Sequence, residues 1–260
     1  MLTGKNAIVT GSTSGIGLAI AHSLAAQGCN LMINGFGDKD AIDKEVQTLT
    51  QNHNVKVEYS PADMSKPDEI TAMVTQCETS LGSCDILVNN AGIQFTARCE
   101  EFPNEKWNAI IAINLSSSFH TMKAALPGMQ KRGFGRIINI ASVHGLVASQ
   151  NKAAYVAAKH GVVGLTKVIA LENAEANITC NAICPGWVHT PLVQKQIEDR
   201  AANESMSVEE ATAKLLGEKQ PNKRFNKPED IGGMVVFLCG EHAQAMTGEA
   251  LTMSGGWAAQ

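Results

Sequence analysis

The sequence has no surplus of positive charge, no long apolar run and no paired-cysteine motif, and each absence removes a class of function. Lys and Arg total 21 against 25 Asp and Glu, a formal net charge of −4. A nucleic-acid partner is therefore not expected, because phosphate backbones are held by basic surfaces. Nowhere do about eighteen apolar residues follow one another, so no membrane-crossing helix is expected. The opening residues, Met1 to Lys5, lack the charged and apolar regions of a secretory leader, and the expectation is a cytoplasmic protein. The seven cysteines, Cys29, Cys77, Cys84, Cys99, Cys180, Cys184 and Cys239, contain no CxxC pair. Cys180 and Cys184 sit in an apolar, strand-like stretch without a histidine at metal-ligand spacing, so no metal site is expected. All seven read as reduced packing residues.

Hydrophobic residues make up 44% of the 260 and charged residues 18%, enough apolar material for a sizeable core. Short β-branched or apolar runs alternate with longer amphipathic stretches almost to the end. Strands are expected at about 6–10, 30–34, 55–59, 85–89, 136–141, 178–184 and 250–253. Helices are expected at about 16–27, 38–52, 67–81, 104–113, 115–131, 153–174 and 228–239. Such alternation means parallel strands joined by right-handed crossovers. The expected fold is α/β: a single doubly wound Rossmann-type domain over residues 1–260, with about seven parallel strands and helices on both faces. No repeat, low-complexity segment or linker divides it. A polar, helical insertion at about 190–220 breaks the rhythm and reads as a lid over a ligand. Its alternative is a solvated pair of surface helices.

The first strand feeds Gly11-Ser12-Thr13-Ser14-Gly15-Ile16-Gly17 and then a helix. Glycines there let backbone amides approach a pyrophosphate at the positive helix N-terminus, although a merely tight turn has the same composition. Asn89-Asn90-Ala91-Gly92 ends the fourth strand, at the expected reversal of strand order, where a dinucleotide lies; a structural turn is the alternative. Farther on come Ser142 and then Tyr155 and Lys159, which at i and i+4 share one helical face.

GxxxGxG, NNAG and YxxxK in this order resemble the short-chain dehydrogenase/reductase family along essentially the whole chain. The resemblance implies a nicotinamide-dependent oxidoreductase. Within it, Tyr155 is the general acid/base, its pKa lowered by the Lys159 ammonium and the nicotinamide. Ser142 holds the substrate oxygen, Asn114 is the relay asparagine, and Lys159 also grips the nicotinamide ribose. Asp63 and Met64 lie where the family contacts adenine. Pro185 and Gly186 resemble the wall behind the nicotinamide, with Val188 and Thr190 beside its carboxamide. For Asp63 a helix cap, and for Pro185-Gly186 an ordinary turn, are equally good readings of the residues alone.

The second strand ends Ile33-Asn34-Gly35-Phe36-Gly37-Asp38. No Arg or Lys stands there or in Ser12-Thr13-Ser14 to receive a 2′-phosphate, and Phe36 packs beside an adenosine without one, so NAD is the expected cofactor. Lys152, His144, Gln94 and Gln196 would place a cation, a histidine and two amides around the reacting centre, a set that suits a small carboxylate. Each alone reads as ordinary surface or core. The runs HGLVAS, NKAAYVAAKHGVVG and ICPGWV resemble members of the family that interconvert (R)-3-hydroxybutyrate and acetoacetate. They imply that these four residues hold the carboxylate, that Trp187 and Trp257 form an apolar wall, and that the chain assembles as a homotetramer. Ser254 departs from the family, where an acidic residue often precedes the paired glycines. An NADPH-dependent 3-oxoacyl or sugar reductase of the same fold is the competing enzyme. A catalytically silent NADH sensor would typically lack one of Asn114, Ser142, Tyr155 and Lys159.

Overall fold

The computed structural model describes residues 2–259. Its strands are β1 (Asn6–Val9), β2 (Asn30–Asn34), β3 (Val57–Ser60), β4 (Ile86–Asn89), β5 (Gly135–Ile140), β6 (Ile178–Pro185) and β7 (Ala250–Met253). They form one parallel sheet in the order β3-β2-β1-β4-β5-β6-β7. The strand order reverses at β1, which pairs with β2 on one side and β4 on the other. At that reversal the connections leave towards opposite faces, and a crevice opens outside the strands' carboxyl ends.

Successive strand residues point to opposite faces, so each strand feeds two cores. Ala7 and Val9, Leu31 and Ile33, and Ile86 and Val88 pack with helices α1 (Gly15–Ala25) and α9 (Pro228–Cys239). Ile8, Met32, Leu87 and Ile137 face the other way, onto α3 (Pro67–Leu81) and α5 (Ser117–Arg132). The β2–β3 crossover is α2 (Lys39–His53), capped by the Asp38 side chain accepting from the Ala41 N–H. Six of the seven cysteines are buried as free thiols, but Cys99 is exposed. It stands on a short 3-10 turn, Cys99–Glu101, outside both cores, which corrects its reading as a packing residue.

Asn104 to Arg132 is one helical run rather than two helices with a break. Helix α4 (Asn104–Ile111) passes through a π turn, Ala112–Ser116, directly into α5. The Ser117 N–H reaches back to the Ala112 carbonyl, so the extra residue bulges out instead of ending the helix. Asn114 lies in that bulge.

Helix α6 (Ala153–Glu172) is long and apolar enough to cross a membrane, with mean hydropathy 1.2, but it packs on the sheet through Val162, Val163, Ile169 and Ala170. The polar insertion forms α7 (Pro191–Asn203) and α8 (Val208–Lys219). These helices carry a small core of their own, Val193, Ile197, Ala201 and Ala211, against Trp187 and Phe225. Thr190 caps α7, and a Ser207–Glu210 capping box starts α8.

Candidate active site

The crevice is a cleft of about 480 Å³ that runs from Gly11 and Phe36 past Asn90 to Tyr155 and Trp257. That volume lies within the range of small-molecule and cofactor sites. At its β1 end, Gly11 and Gly15 adopt φ values of +61° and +56°, and a Cβ at Gly17 would collide with the Gly11 carbonyl. The loop is folded this tightly by Asn90, whose amide donates to the Thr10 and Gly11 carbonyls at 2.9 Å each. Helix α1 begins at this loop with no side-chain cap and no acidic residue in its first turn. Its first N–H groups therefore have no side-chain cap among the described residues, and the helix end favours an anion. A pyrophosphate fits that cradle.

Thr13, Gly15, Ile16, Ala91 and Gly92 line the same half of the cleft, with Asp63 and Met64 at its far side. Gly17 lies beneath the loop and is not part of the lining. Phe36 is 67% exposed at the rim. Asn34, which the sequence reading left without a role, lines the cleft and holds it open. Its Oδ1 accepts from the Gly11 N–H at 3.2 Å, and its Nδ2 donates to the Ser60 and Ala62 carbonyls at 3.1 and 2.9 Å. A polar residue at the end of a buried strand is the signal that marks it. Lys39, the first cation after Phe36, is paired with Asp43.

Ser142, Tyr155 and Lys159 meet at the cleft's centre. The Lys159 Nζ donates to the Ile140 carbonyl at 2.7 Å and lies 5.6 Å from the centre of the Tyr155 ring. Burial lowers Lys159 to about 8. Burial also raises the Tyr155 phenol, and Ser142 beside it pulls the other way. Desolvation of the phenol is the larger of the two influences. Asn114 does not line the cleft. Its amide takes both backbone groups of Ile93, accepting from the N–H at 2.8 Å and donating to the carbonyl at 2.9 Å, and Ile93 is a lining residue.

His144 stands on a 3-10 turn, Val143–Gly145. The Ser142 hydroxyl accepts from the His144 N–H at 3.1 Å and so caps that turn. The turn brings the imidazole Nδ1 to 3.3 Å from the same hydroxyl, with Nε2 2.9 Å from the Ser149 hydroxyl. Burial, aided by the Lys152 charge, lowers His144 to about 4, so the ring is neutral at pH 7. Lys152 is the N-cap of α6, fixed by a β-bridge between Ala97 and Lys152. Its Nζ lies 5.4 Å from the centre of the Trp187 ring, and burial lowers its pKa. Among the described residues it has no carboxylate partner.

Gln94, Gln196 and Trp257 complete this half, and Pro185, Gly186, Val188 and Thr190 form its floor. Trp257 is buried, 5.2 Å from His144 and 6.2 Å from Trp187 between ring centres. It gets there because Gly255 and Gly256, at φ +59° and +92°, turn the chain back after a buried Ser254. An acidic side chain at 254 would be buried in that turn. Leu192 also lines the cleft while 63% exposed, and an apolar residue at the start of an otherwise polar insertion was its only sequence signal. Among the described residues, no group of three His, Cys, Asp or Glu side chains is placed to hold a metal ion.

Residues 11–258 match a protein family described as enoyl-(acyl carrier protein) reductase. The chain is 57% identical over 260 residues, all of both chains, to a D-beta-hydroxybutyrate dehydrogenase of Cupriavidus necator. It is 51% identical to the enzyme of that name from Rhizobium meliloti, over 98% of this chain and 99% of that one. Among solved structures, an actinorhodin polyketide ketoreductase with NADPH superimposes with a TM-score of 0.92 at 36% identity, over the whole of both chains. An L-sorbose reductase from Gluconobacter frateurii, complexed with NADPH and L-sorbose, does so at 0.94 and 31%, over 99% and 98%.

Proposed function

The chain belongs to the short-chain dehydrogenase/reductase family, and on that premise we propose that it interconverts (R)-3-hydroxybutyrate and acetoacetate with NAD. The observation that carries the substrate is Lys152, a cation without an acidic partner among the described residues, set in the cleft with Gln94, His144 and Gln196 near Tyr155. A desolvated cation flanked by neutral hydrogen-bonding groups selects a small carboxylate. Full-length likeness to two D-beta-hydroxybutyrate dehydrogenases supports the same substrate.

When bound in the cleft, a nicotinamide would supply the hydride exchange that interconverts the alcohol and the ketone. Tyr155 takes the hydroxyl proton on oxidation and gives it back on reduction. Because burial raises its phenol, ionisation depends on nearby positive charge, to which Lys159 contributes from 5.6 Å. Ser142 donates to the substrate oxygen, and its fixed position against His144 keeps that donor aimed. Asn114 acts through Ile93, anchoring the loop after Gly92. Pro185 and Gly186, which line the cleft, would back the nicotinamide, and Val188 and Thr190 would hold its carboxamide. Trp187 and Trp257 exclude water around the short chain.

NAD is preferred to NADP because, among the described residues, no unpaired cation stands at the end of β2: Lys39 is paired with Asp43, and Phe36 occupies the rim. Apolar exposure of Phe119, Val168 and Leu171 on α5 and α6 supports burial between copies of the chain in a homotetramer. Buried free thiols fit a reducing, cytoplasmic setting.

The test is NADH formation from NAD and (R)-3-hydroxybutyrate, with the (S) enantiomer and NADP in parallel. Turnover with the (R) form and NAD alone is expected. Turnover of NADPH with oxoacyl thioesters instead would favour the ketoreductase reading that the NADPH-bound neighbours represent.

A further inference from the structure

The two ends of the helical insertion converge on the strip of chain that floors the cleft. Thr190 opens it, and after α8 the segment from Gln220 to Asn226 returns to the same place. The Asn226 N–H donates to the Trp187 carbonyl at 2.9 Å, and the His189 N–H donates to the Asn226 carbonyl at 3.0 Å. The Asn222 N–H donates to the Gly255 carbonyl at 3.1 Å. These are backbone contacts that many side chains would tolerate. One contact in the strap is made by a side chain reaching the floor.

Gln220 is 1% exposed, an unusual state for a neutral amide at the end of a surface helix. Its Oε1 accepts from the Trp187 N–H at 3.0 Å, and its Nε2 donates to the Arg224 carbonyl. The amide presses on Gly186 as well: a Cβ there would stand 2.7 Å from Oε1 and 3.0 Å from the Ser254 Cα. Glycine at 186 is thus the complement of glutamine at 220. Trp187 already carries one buried donor, its indole Nε1, with no partner among the described residues. Losing Gln220 would leave its backbone N–H in the same state, a cost a buried donor avoids by moving.

We infer that Gln220 is a positioning residue for the reaction, tying the far end of the insertion to Gly186 and Trp187 so that the floor and wall of the substrate half move with α8. It acts through Trp187 and touches neither substrate nor cofactor. This rests on the hydroxybutyrate reading, since the substrate is what the positioned wall would enclose. The Gly11–Gly17 cradle lies at the other end of the cleft and keeps its geometry without Gln220.

The experiment measures KM for (R)-3-hydroxybutyrate, kcat, and NADH affinity by fluorescence in Gln220→Met and Gln220→Glu. The Met variant fills the same volume without hydrogen bonds. It should raise KM about tenfold while NADH affinity stays within about twofold. The Glu variant keeps an acceptor for the Trp187 N–H but loses the donor to the Arg224 carbonyl, and should recover part of that loss. Should the Met variant not fold, Gln220→Asn withdraws the amide by one methylene and should show the same KM rise. An unchanged KM in a folded Met or Asn variant overturns the assignment, as does equal loss in Met and Glu. Wild-type protein inactive on hydroxybutyrate rejects the substrate reading instead, and is seen before any variant is made.

Discussion

The two halves of the cleft are built from different materials. The half at β1 and β2 is made of backbone, glycine and small side chains, held by Asn34 and Asn90 through bonds to main-chain carbonyls and amides. Apart from Asp63 at its far side, its polarity comes from a helix end rather than from side-chain charge. The half at Tyr155 is lined by two lysines, a neutral histidine and two tryptophans, each with its pKa or packing set by burial. The first half rests on the rigid sheet edge, whereas the second is closed in part by the inserted helices, which have a core of their own. Recognition by shape is thereby separated from recognition by charge. Mutations in the two halves should fail in different ways.

The largest expected effect is in the second half. Tyr155→Phe removes the oxygen that exchanges the proton and should lower kcat by about 10³-fold or more while NADH still binds. A variant that keeps a tenth of wild-type turnover would remove Tyr155 from proton transfer.

Gly17→Ala probes the first half. Its methyl group would meet the Gly11 carbonyl and the Asn90 amide, an overpacking that costs about 3 kcal/mol. Weaker NADH binding and a lower melting temperature are expected, with KM for the hydroxy acid little changed at saturating cofactor. If the hydroxy-acid KM moved as much as NADH affinity, the halves would not be separable.

Lys152→Ala should raise KM for the carboxylate about 30-fold, near 2 kcal/mol, the scale of a charge-assisted hydrogen bond. NADH affinity, read by fluorescence, is the control that must not follow.

His144 gives the second half a pH signature. Burial lowers it to about 4 from an ordinary 6.5, so the unfolded chain binds this proton more readily than the folded one. Its contribution is whole above about pH 6.5 and is lost as pH falls towards 4, by roughly 1–2 kcal/mol. Urea midpoints of wild type and His144→Gln, compared between pH 7 and pH 4.5, should converge as the acid limit is approached. Parallel curves would mean that the ring takes up its proton as readily in the folded state as in the unfolded one.

The smallest effect is expected from Gly37→Arg, which places a cation at the exposed rim beyond Phe36. NADP use should rise about tenfold, roughly 1.4 kcal/mol, with hydroxy-acid KM unchanged. No gain with NADP would show that the rim, not the missing charge, excludes the phosphate.

The fold was legible because its signals are local. Helix α3 runs over Pro67–Leu81 and α9 over Pro228–Cys239, the spans their caps and periodicity indicate. The join at Asn114 was not legible as a continuous helix, since a π turn differs from a break only by the Ser117 bond to Ala112. In the candidate site, the glycine loop, Asn90 and the Ser142, Tyr155 and Lys159 set stand out by spacing. Asn34 and Leu192 do not, because a polar strand end and an exposed leucine acquire meaning only beside a cleft.

The order of strands and helices, the glycine turn at the first crossover and the shared face of Tyr155 and Lys159 were determined by the sequence alone. Each depends on residues within a few positions of one another, where backbone period and sterics decide. The tertiary structure decided that His144 is neutral, that burial raises Tyr155, and that Gln220 meets Trp187 across 33 positions. Those properties come from desolvation and contact between distant segments, which no local pattern encodes.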